Sequence, residues 1–233
     1  MKDLLKQSFE KYNIVLNDIQ LNQFELYYHY LVEENEKFNL TAITDKNEVV
    51  IKHFVDSVLP YAQLSRNSSV IDVGTGAGFP GVPLKILRPD IKLTLLDSLN
   101  KRIEFLKRLC EKLDLQNVTF VHSRAEDYVK EQREKFDFAV SRAVASVPTL
   151  SEYLLPYIKK GGKVLMYKGS KSDEELALGK NAIRTLGGKV DKVLNFNLAE
   201  VDSERNIVVI EKISLTPVKF PRGKNLPKIK PIE

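Results

Sequence analysis

The sequence has 233 residues, 43% hydrophobic and 29% charged, which suffices for a full core and excludes the disordered, collagenous and membrane-spanning classes. No stretch reaches the roughly 18 to 20 unbroken apolar residues of a transmembrane helix. Met1-Lys2-Asp3-Leu4-Leu5-Lys6 is too charged for a signal peptide, and the single Cys110 rules out an intramolecular disulfide or a multi-cysteine zinc site, so a cytoplasmic protein with no membrane partner is expected. The net charge of +5 sits at one end: residues 212–233 hold six basic side chains against one acidic, and the remainder balances.

In chain order, the first 65 residues read as an N-terminal helical cap. Asn17 and Asp18 can start a helix whose apolar positions Ile19, Leu21, Phe24, Tyr27, Tyr28, Leu31 and Val32 recur at helical spacing, ending near Phe38. Asn39-Leu40-Thr41 is a loop, and Asp45 can cap a further helix containing Val49, Val50, Phe54, Val58 and Leu59. Residues 66–212 alternate strands with helices. Apolar runs at 70–73, 93–96, 118–121, 136–140 and 163–166 read as strands, and 84–87, 102–113, 125–131 and 149–158 as helices. A helix over 173–186 precedes two last strands, 190–196 and 207–211, joined by Asp202-Ser203-Glu204-Arg205-Asn206. This pattern predicts an α/β fold, a mostly parallel seven-stranded sheet with helices on both faces. Residues 213–233 form a basic tail that Pro217, Pro221, Pro227 and Pro231 should keep extended; such an arm suits a polyanionic partner or a solvated terminus equally well.

The sharpest local signal is Val70-Ile71-Asp72-Val73-Gly74-Thr75-Gly76-Ala77-Gly78-Phe79-Pro80-Gly81, a strand entering a glycine-rich turn and then a helix helped by Pro80 in its first turn. Glycines there let a ligand approach the backbone, and free N–H groups at a helix start favour an anion. The Gly-Lys-Ser/Thr of a P-loop is absent, and a dinucleotide loop usually reads G-x-G-x-x-G without an aspartate two residues earlier. Asp97, at the tip of the second strand, can accept hydrogen bonds from both ribose hydroxyls. Asp72, Gly74, Gly76, Gly78 and Asp97 together look like the Rossmann-like class I S-adenosylmethionine-dependent methyltransferases; an NAD-dependent oxidoreductase and a purely structural turn are the alternatives.

More of the chain resembles one family in that class. Asn39-Leu40-Thr41, His53-x-x-Asp56-Ser57, the loop from Asp72 to Pro83, Leu96-Asp97-Ser98 with Lys101-Arg102, Ser123-Arg124-Ala125-Glu126, Phe136-Asp137 with Ser141-Arg142-Ala143, Lys168-Gly169 and Phe220-Pro221-Arg222 are similar to the glucose-inhibited division protein B family, the bacterial 16S ribosomal RNA guanine-527 N7-methyltransferases. The resemblance implies S-adenosylmethionine as cofactor and 16S ribosomal RNA or the small-subunit particle as partner, for a protein expected to be a monomer. It places Gly74 and Phe79 at the methionine end of the cofactor, Ala125 and Glu126 by the adenine, and Arg142 beside the methyl-transfer site. A methyltransferase for another RNA or a small molecule, and a non-enzymatic RNA-binding protein, are the competing readings.

Guanine N7 carries an in-plane lone pair, so its methylation needs no prior proton removal and no general base is expected. Asp/Asn-Pro-Pro-Tyr/Phe, suited to exocyclic amines, is missing where Ser141-Arg142-Ala143 stands. Cys110 shares a helical face with Ile103, Leu106 and Leu113 and reads as core. Arg142 and Arg124 are candidates for positioning the guanine or a phosphate, although Arg124 could equally pair with Glu126 or Asp127. Arg205, Arg222 and Asn39 are further RNA-contact candidates, Asn39 being as well suited to capping. His53 and Asp56, three apart on one helix, could pair, without enough neighbouring ligands for a metal. Tyr27, Tyr28 and Tyr30 read as part core, part surface.

Overall fold

The computed structural model describes residues 1–142, 145–201 and 203–232. Ala143 of the Ser-Arg-Ala motif, Asp202 of the polar loop and Glu233 of the tail lie outside the described residues.

The chain opens with α1 (Lys2–Glu10) and α2 (Asp18–Phe38). Asn17 closes a capping box on α2 with Gln20, and Asn39 ends it in the left-handed conformation, φ 50°, its N–H donating to the Asn35 carbonyl. Asp45 caps the next helix through the N–H groups of Asn47 and Glu48. That helix is not uniformly α: α3 (Lys46–Glu48) and α4 (Asp56–Val58) flank a π-helical segment, Val49–Val55.

The expected alternation follows: β1 (Ser69–Val73), α5 (Gly81–Leu87), β2 (Lys92–Asp97), α6 (Asn100–Lys112), β3 (Val118–His122), α7 (Ala125–Gln132), β4 (Phe136–Arg142), α8 (Val147–Leu154), β5 (Ile158–Lys168), α9 (Ser172–Thr185), β6 (Gly188–Leu198), β7 (Ser203–Lys212) and finally α10 (Leu226–Ile229). Pro80 stands just before α5 as its N-cap instead of inside the first turn. The helix expected over 149–158 stops at Leu154, because Pro156 has no N–H to continue it; a 3-10 turn, Leu155–Tyr157, leads directly into β5. The sheet order is β3-β2-β1-β4-β5-β7-β6. The first five strands are parallel, and β7 runs antiparallel between β5 and β6.

Alternate strand residues serve opposite faces. Val70, Leu93, Leu95 and Val140 pack with α5, α6 and the N-terminal helices through Leu5, Phe24 and Phe54. Ile71, Leu96, Ala139 and Met166 pack against Leu150, Leu154 and Ile183 of α8 and α9. The N-terminal helices therefore complete one helical layer. Tyr27 is buried, Tyr30 nearly so and Tyr28 partly exposed. Cys110 lies in the core, where burial pushes its thiol up to about 12. No helix among the described residues is long and apolar enough to cross a membrane.

The tail corrects the expectation of an extended arm. It runs irregularly, as its prolines require, but is fastened to the body along its length. Phe220 is buried against the α8 side, and Thr149 donates to the Pro227 carbonyl at 2.9 Å. Fully buried Glu152 of α8 accepts from the Arg222 backbone N–H at 2.7 Å, from Nη2 at 2.6 Å and from Nε at 2.9 Å. Arg222, a candidate for touching RNA, is thus occupied inside the protein. Lys212 is likewise buried, donating to the Leu155 carbonyl and Thr216. Arg222→Ala should leave the Glu152 carboxylate buried without its counter-charge and cost about 3 kcal/mol of stability. Urea denaturation checks this, and in a double-mutant cycle with Glu152→Ala the two losses should be far from additive.

Candidate active site

The glycine loop is shaped from behind. Asp72 is completely buried, its Oδ2 accepting from the Thr75 hydroxyl and the Gly81 N–H, both at 2.8 Å. Burial pushes this carboxyl up to about 7, against the opposing pull of those two hydrogen bonds. A Cβ on Gly81 would come within 2.7 Å of the same oxygen, so the loop closes only over a glycine. Gly78, at φ 102°, has the Tyr27 hydroxyl 2.7 Å from where a Cβ would stand; Tyr27 in turn donates to the Ala77 carbonyl at 2.6 Å. Of the nine residues expected at the cofactor, Asp72 and Gly78 therefore form the back of the loop and not the cleft wall. The reason is local: Asp72 Oδ2 is taken by the loop's own hydroxyl and N–H, Oδ1 is buried without a hydrogen-bond partner among the described residues, and the Cβ-less face of Gly78 is closed by Tyr27 of α2.

In front of the loop lies a cleft of about 550 Å³ that gathers Gly74, Gly76, Phe79, Asp97, Arg124, Ala125, Glu126 and Arg142. Gly76, at φ 61°, has open space where a Cβ would be, and its N–H donates to Asp97 Oδ2 at 2.9 Å. Asp97 also accepts from Arg102 Nη1 at 3.2 Å and from the Leu99 N–H at 3.0 Å. Glu126, just after β3, is buried on the same cleft, and its Oε1 makes no hydrogen bond among the described residues. The nearest charge is Arg124 Nη1 at 3.5 Å, which donates to Asn225 Oδ1 at 2.7 Å. Asn225 and Lys228 bring the tail onto the cleft wall, a contribution that no local pattern signals.

Arg142 closes the other end. Its Nη1 donates to Asp56 Oδ2 at 2.7 Å and to the carbonyls of Lys52 at 3.0 Å and His53 at 3.4 Å; its Nη2 donates to His53 Nδ1 at 3.2 Å. The guanidinium lies 4.9 Å from the centre of the Phe79 ring, on which His53 also stacks at 4.4 Å. His53 and Asp56 meet through Arg142, not with each other directly. Arg205, the loop candidate, gives its Nε to the second oxygen of Asp56 at 2.5 Å. Burial, reinforced by the Arg142 charge, drives His53 down to about 3, so its ring is neutral. Because arginine can only donate, Nδ1 is the acceptor and Nε2 carries the proton, which it gives to Thr41 Oγ1 at 2.9 Å. Thr41 lines the cleft, whereas Asn39 acts as a helix cap.

A second cleft of about 620 Å³ shares His53, Arg142 and Ala145 with the first and adds Lys52, Asp56, Lys168, Glu175 and Arg205. The two clefts thus adjoin at His53, Arg142 and Ala145. The sequence names Arg142 and Arg205 here and shows Lys168-Gly169 as a motif without a role, but Glu175 carries no local signal of a site.

The family described as rRNA small subunit methyltransferase G (GidB) matches residues 20–208. Proteins named ribosomal RNA small subunit methyltransferase G are similar over nearly the whole chain: that of Bacillus licheniformis is 50% identical, covering 96% of this chain and 95% of its own, and that of Bacillus subtilis 49% identical, covering 94% of each. Among solved structures, a SAM dependent methyltransferase from Aquifex aeolicus aligns with TM-score 0.55 at 19% identity, over 77% of this chain and 98% of its own. Precorrin-6y C5,15-methyltransferase from Geobacter metallireducens aligns with TM-score 0.54 at 15% identity, over 77% and 96%. These two share the fold.

A histidine whose folded value is depressed from 6.5 to about 3 adds stability that is present above pH 6.5 and is lost as pH falls through that window, because only the unfolded chain takes up the proton. His53→Gln, which can accept from Arg142 and donate to Thr41, should flatten the pH dependence of the urea midpoint between about pH 6.5 and 4. The difference from the unmodified protein should approach about 1.4 kcal/mol per pH unit.

Proposed function

The chain belongs to the rRNA small subunit methyltransferase G family, and from that premise we propose that it methylates N7 of guanine 527 in 16S ribosomal RNA. It is an S-adenosylmethionine-dependent methyltransferase of the class I fold. The observation that carries the proposal is the pair of clefts abutting at Arg142, His53 and Ala145.

The first cleft fits the cofactor. Its volume lies in the range of small-molecule sites. The buried, unbonded Oε1 of Glu126 is an acceptor waiting for an N–H, as the adenine amine would offer, and Asp97, already accepting from Gly76, Arg102 and Leu99, keeps one accepting position on Oδ1 for a ribose hydroxyl. Gly76 leaves its backbone open to close approach. On this reading Gly74 and Phe79 attend the methionine end and Ala125 and Glu126 the adenine. When bound, the cofactor supplies an electrophilic methyl group on a sulfonium.

The reacting lone pair of N7 needs no base, and the side chains agree. His53 is neutral but its acceptor nitrogen is occupied by Arg142, while the carboxyl of Asp72 is sealed behind the loop. What remains for the protein is alignment and exclusion of water. Arg142, held by four acceptors and 4.9 Å from the centre of the Phe79 ring, is a rigid border where the two ligands meet. Arg124 and Arg205 flank the clefts and position the nucleotide. The substrate is either free 16S ribosomal RNA or the small-subunit particle, met by a monomer in the cytoplasm.

Titration calorimetry should detect S-adenosylmethionine binding, and 7-methylguanosine should appear at position 527 in RNA treated with the protein; no binding at high micromolar cofactor overturns the reading. Asp97→Ala should weaken cofactor binding about 10- to 100-fold. Arg142→Lys keeps the charge beside Asp56 but loses the planar fork. It should lower single-turnover methylation at least about 100-fold while cofactor affinity stays within about tenfold.

A further inference from the structure

We propose that the second cleft seats the target base and that Lys168 and Glu175 identify it as guanine by reading O6 and N1–H. The inference rests on the methyl-transfer reading above and assigns the specificity that reading leaves open.

Lys168 ends β5 and is nearly buried; its ammonium donates to the Ala145 carbonyl at 2.5 Å and to Glu175 Oε2 at 2.8 Å. An ammonium has three donors, so one is left. Glu175 lies in the first turn of α9, and its Oε2 accepts both Lys168 and the Val147 N–H at 3.2 Å. Its Oε1 takes part in neither bond, and the side chain is 32% exposed on the cleft wall. The turn between the two residues is pinned by Asn206, whose Nδ2 donates to the Gly169 carbonyl at 3.1 Å and to Ser172 Oγ at 2.8 Å. A donor and an acceptor therefore stand side by side on a rigid support, each with one hydrogen-bonding position to spare.

Guanine presents the complementary pair. Along one edge of the fused rings N7, in the five-membered ring, is followed by O6, an acceptor, and then by N1–H of the six-membered ring, a donor. With N7 against the shared wall, O6 comes next and N1–H beyond it. Lys168 is the member of the pair bonded to Ala145 on that wall, and Glu175 is its neighbour, so the order of the pair matches the order of the base. Adenine reverses both groups, setting an amine against the ammonium and a bare N1 against the carboxylate. Buried polar groups left unmatched in this way reject a ligand far more strongly than a missing apolar contact does.

The test uses small-subunit ribosomal RNA carrying guanine, inosine or 2-aminopurine at the target position. Inosine keeps O6 and N1–H but lacks the 2-amino group; 2-aminopurine lacks both O6 and N1–H. Inosine should be methylated within about tenfold of guanine, and 2-aminopurine at least about 100-fold more slowly. The RNA dissociation constants, which do not depend on N7 reactivity, should follow the same order. Glu175→Gln, whose amide can turn either a carbonyl or an N–H to the base, should compress the guanine to 2-aminopurine ratio at least about tenfold at unchanged cofactor affinity. The proposal is overturned if inosine fails as badly as 2-aminopurine, or if the ratio is unchanged in Glu175→Gln and in Lys168→Met. Should both variants fail to fold, the affinities of the three RNAs for the unmodified protein decide alone. Absence of 7-methylguanosine from the guanine RNA with the unmodified protein would instead sink the underlying methyl-transfer reading.

Discussion

The buried pair between Asp56 and Arg142 is the constraint on which the site depends. Asp56 has no solvent exposure, and its two oxygens take Arg142 and Arg205, from the end of β4 and from β7. A carboxylate so placed is tolerable only with its cations in position, because either loss leaves an uncompensated charge in a poorly hydrated interior. The pair therefore ties the N-terminal helices to the middle of the sheet. It also fixes the plane of the guanidinium, which sets the tautomer of His53 and, through it, the hydrogen bond at Thr41. The wall between the clefts is rigid because it is a hydrogen-bonded chain with each member satisfied by the next.

This ordering explains why the first helices do not act as a lid laid over a finished domain. They contribute Phe54 and Tyr27 to the packing around Phe79, and the π-helical segment supplies two carbonyls to Arg142. A π turn inside a helix commonly accompanies a functional site, and here it coincides with the residues that receive the guanidinium.

The strands were legible because buried parallel strands are continuous apolar runs, and the loop because strand, glycines and helix follow one another without a gap. Asn17 and Asp45 announced their helices by chemistry that acts within three residues. What escaped were partners distant in sequence. Glu152 and Arg222 are 70 residues apart, Asp56 and Arg205 149, so no window of periodicity or spacing contains both. Asp72 was recognised as part of the loop, but spacing gives a residue's neighbours along the chain and not which side of a turn its carboxylate faces. Lys168 and Glu175 are seven apart, yet their meaning depends on β4, α8 and β7 around them.

The charge distribution takes on a different sense once the tail is seen fastened. Of the six cations over residues 212–233, Lys212 at the end of β7 and Arg222 in the tail satisfy groups inside the protein, whereas Lys219, Lys224, Lys228 and Lys230 remain exposed. The last turn brings Asn225 and Lys228 to the wall of the first cleft. A flexible arm would add attraction anywhere within its reach, but a fastened one holds Lys228 at one place, beside Asn225 and its partner Arg124. The Arg222–Glu152 pair is what fastens this C-terminal excess of charge to one face, and this is the same device by which Asp56 fixes Arg142: a fully buried carboxylate determines where a cation from a remote part of the chain must stand.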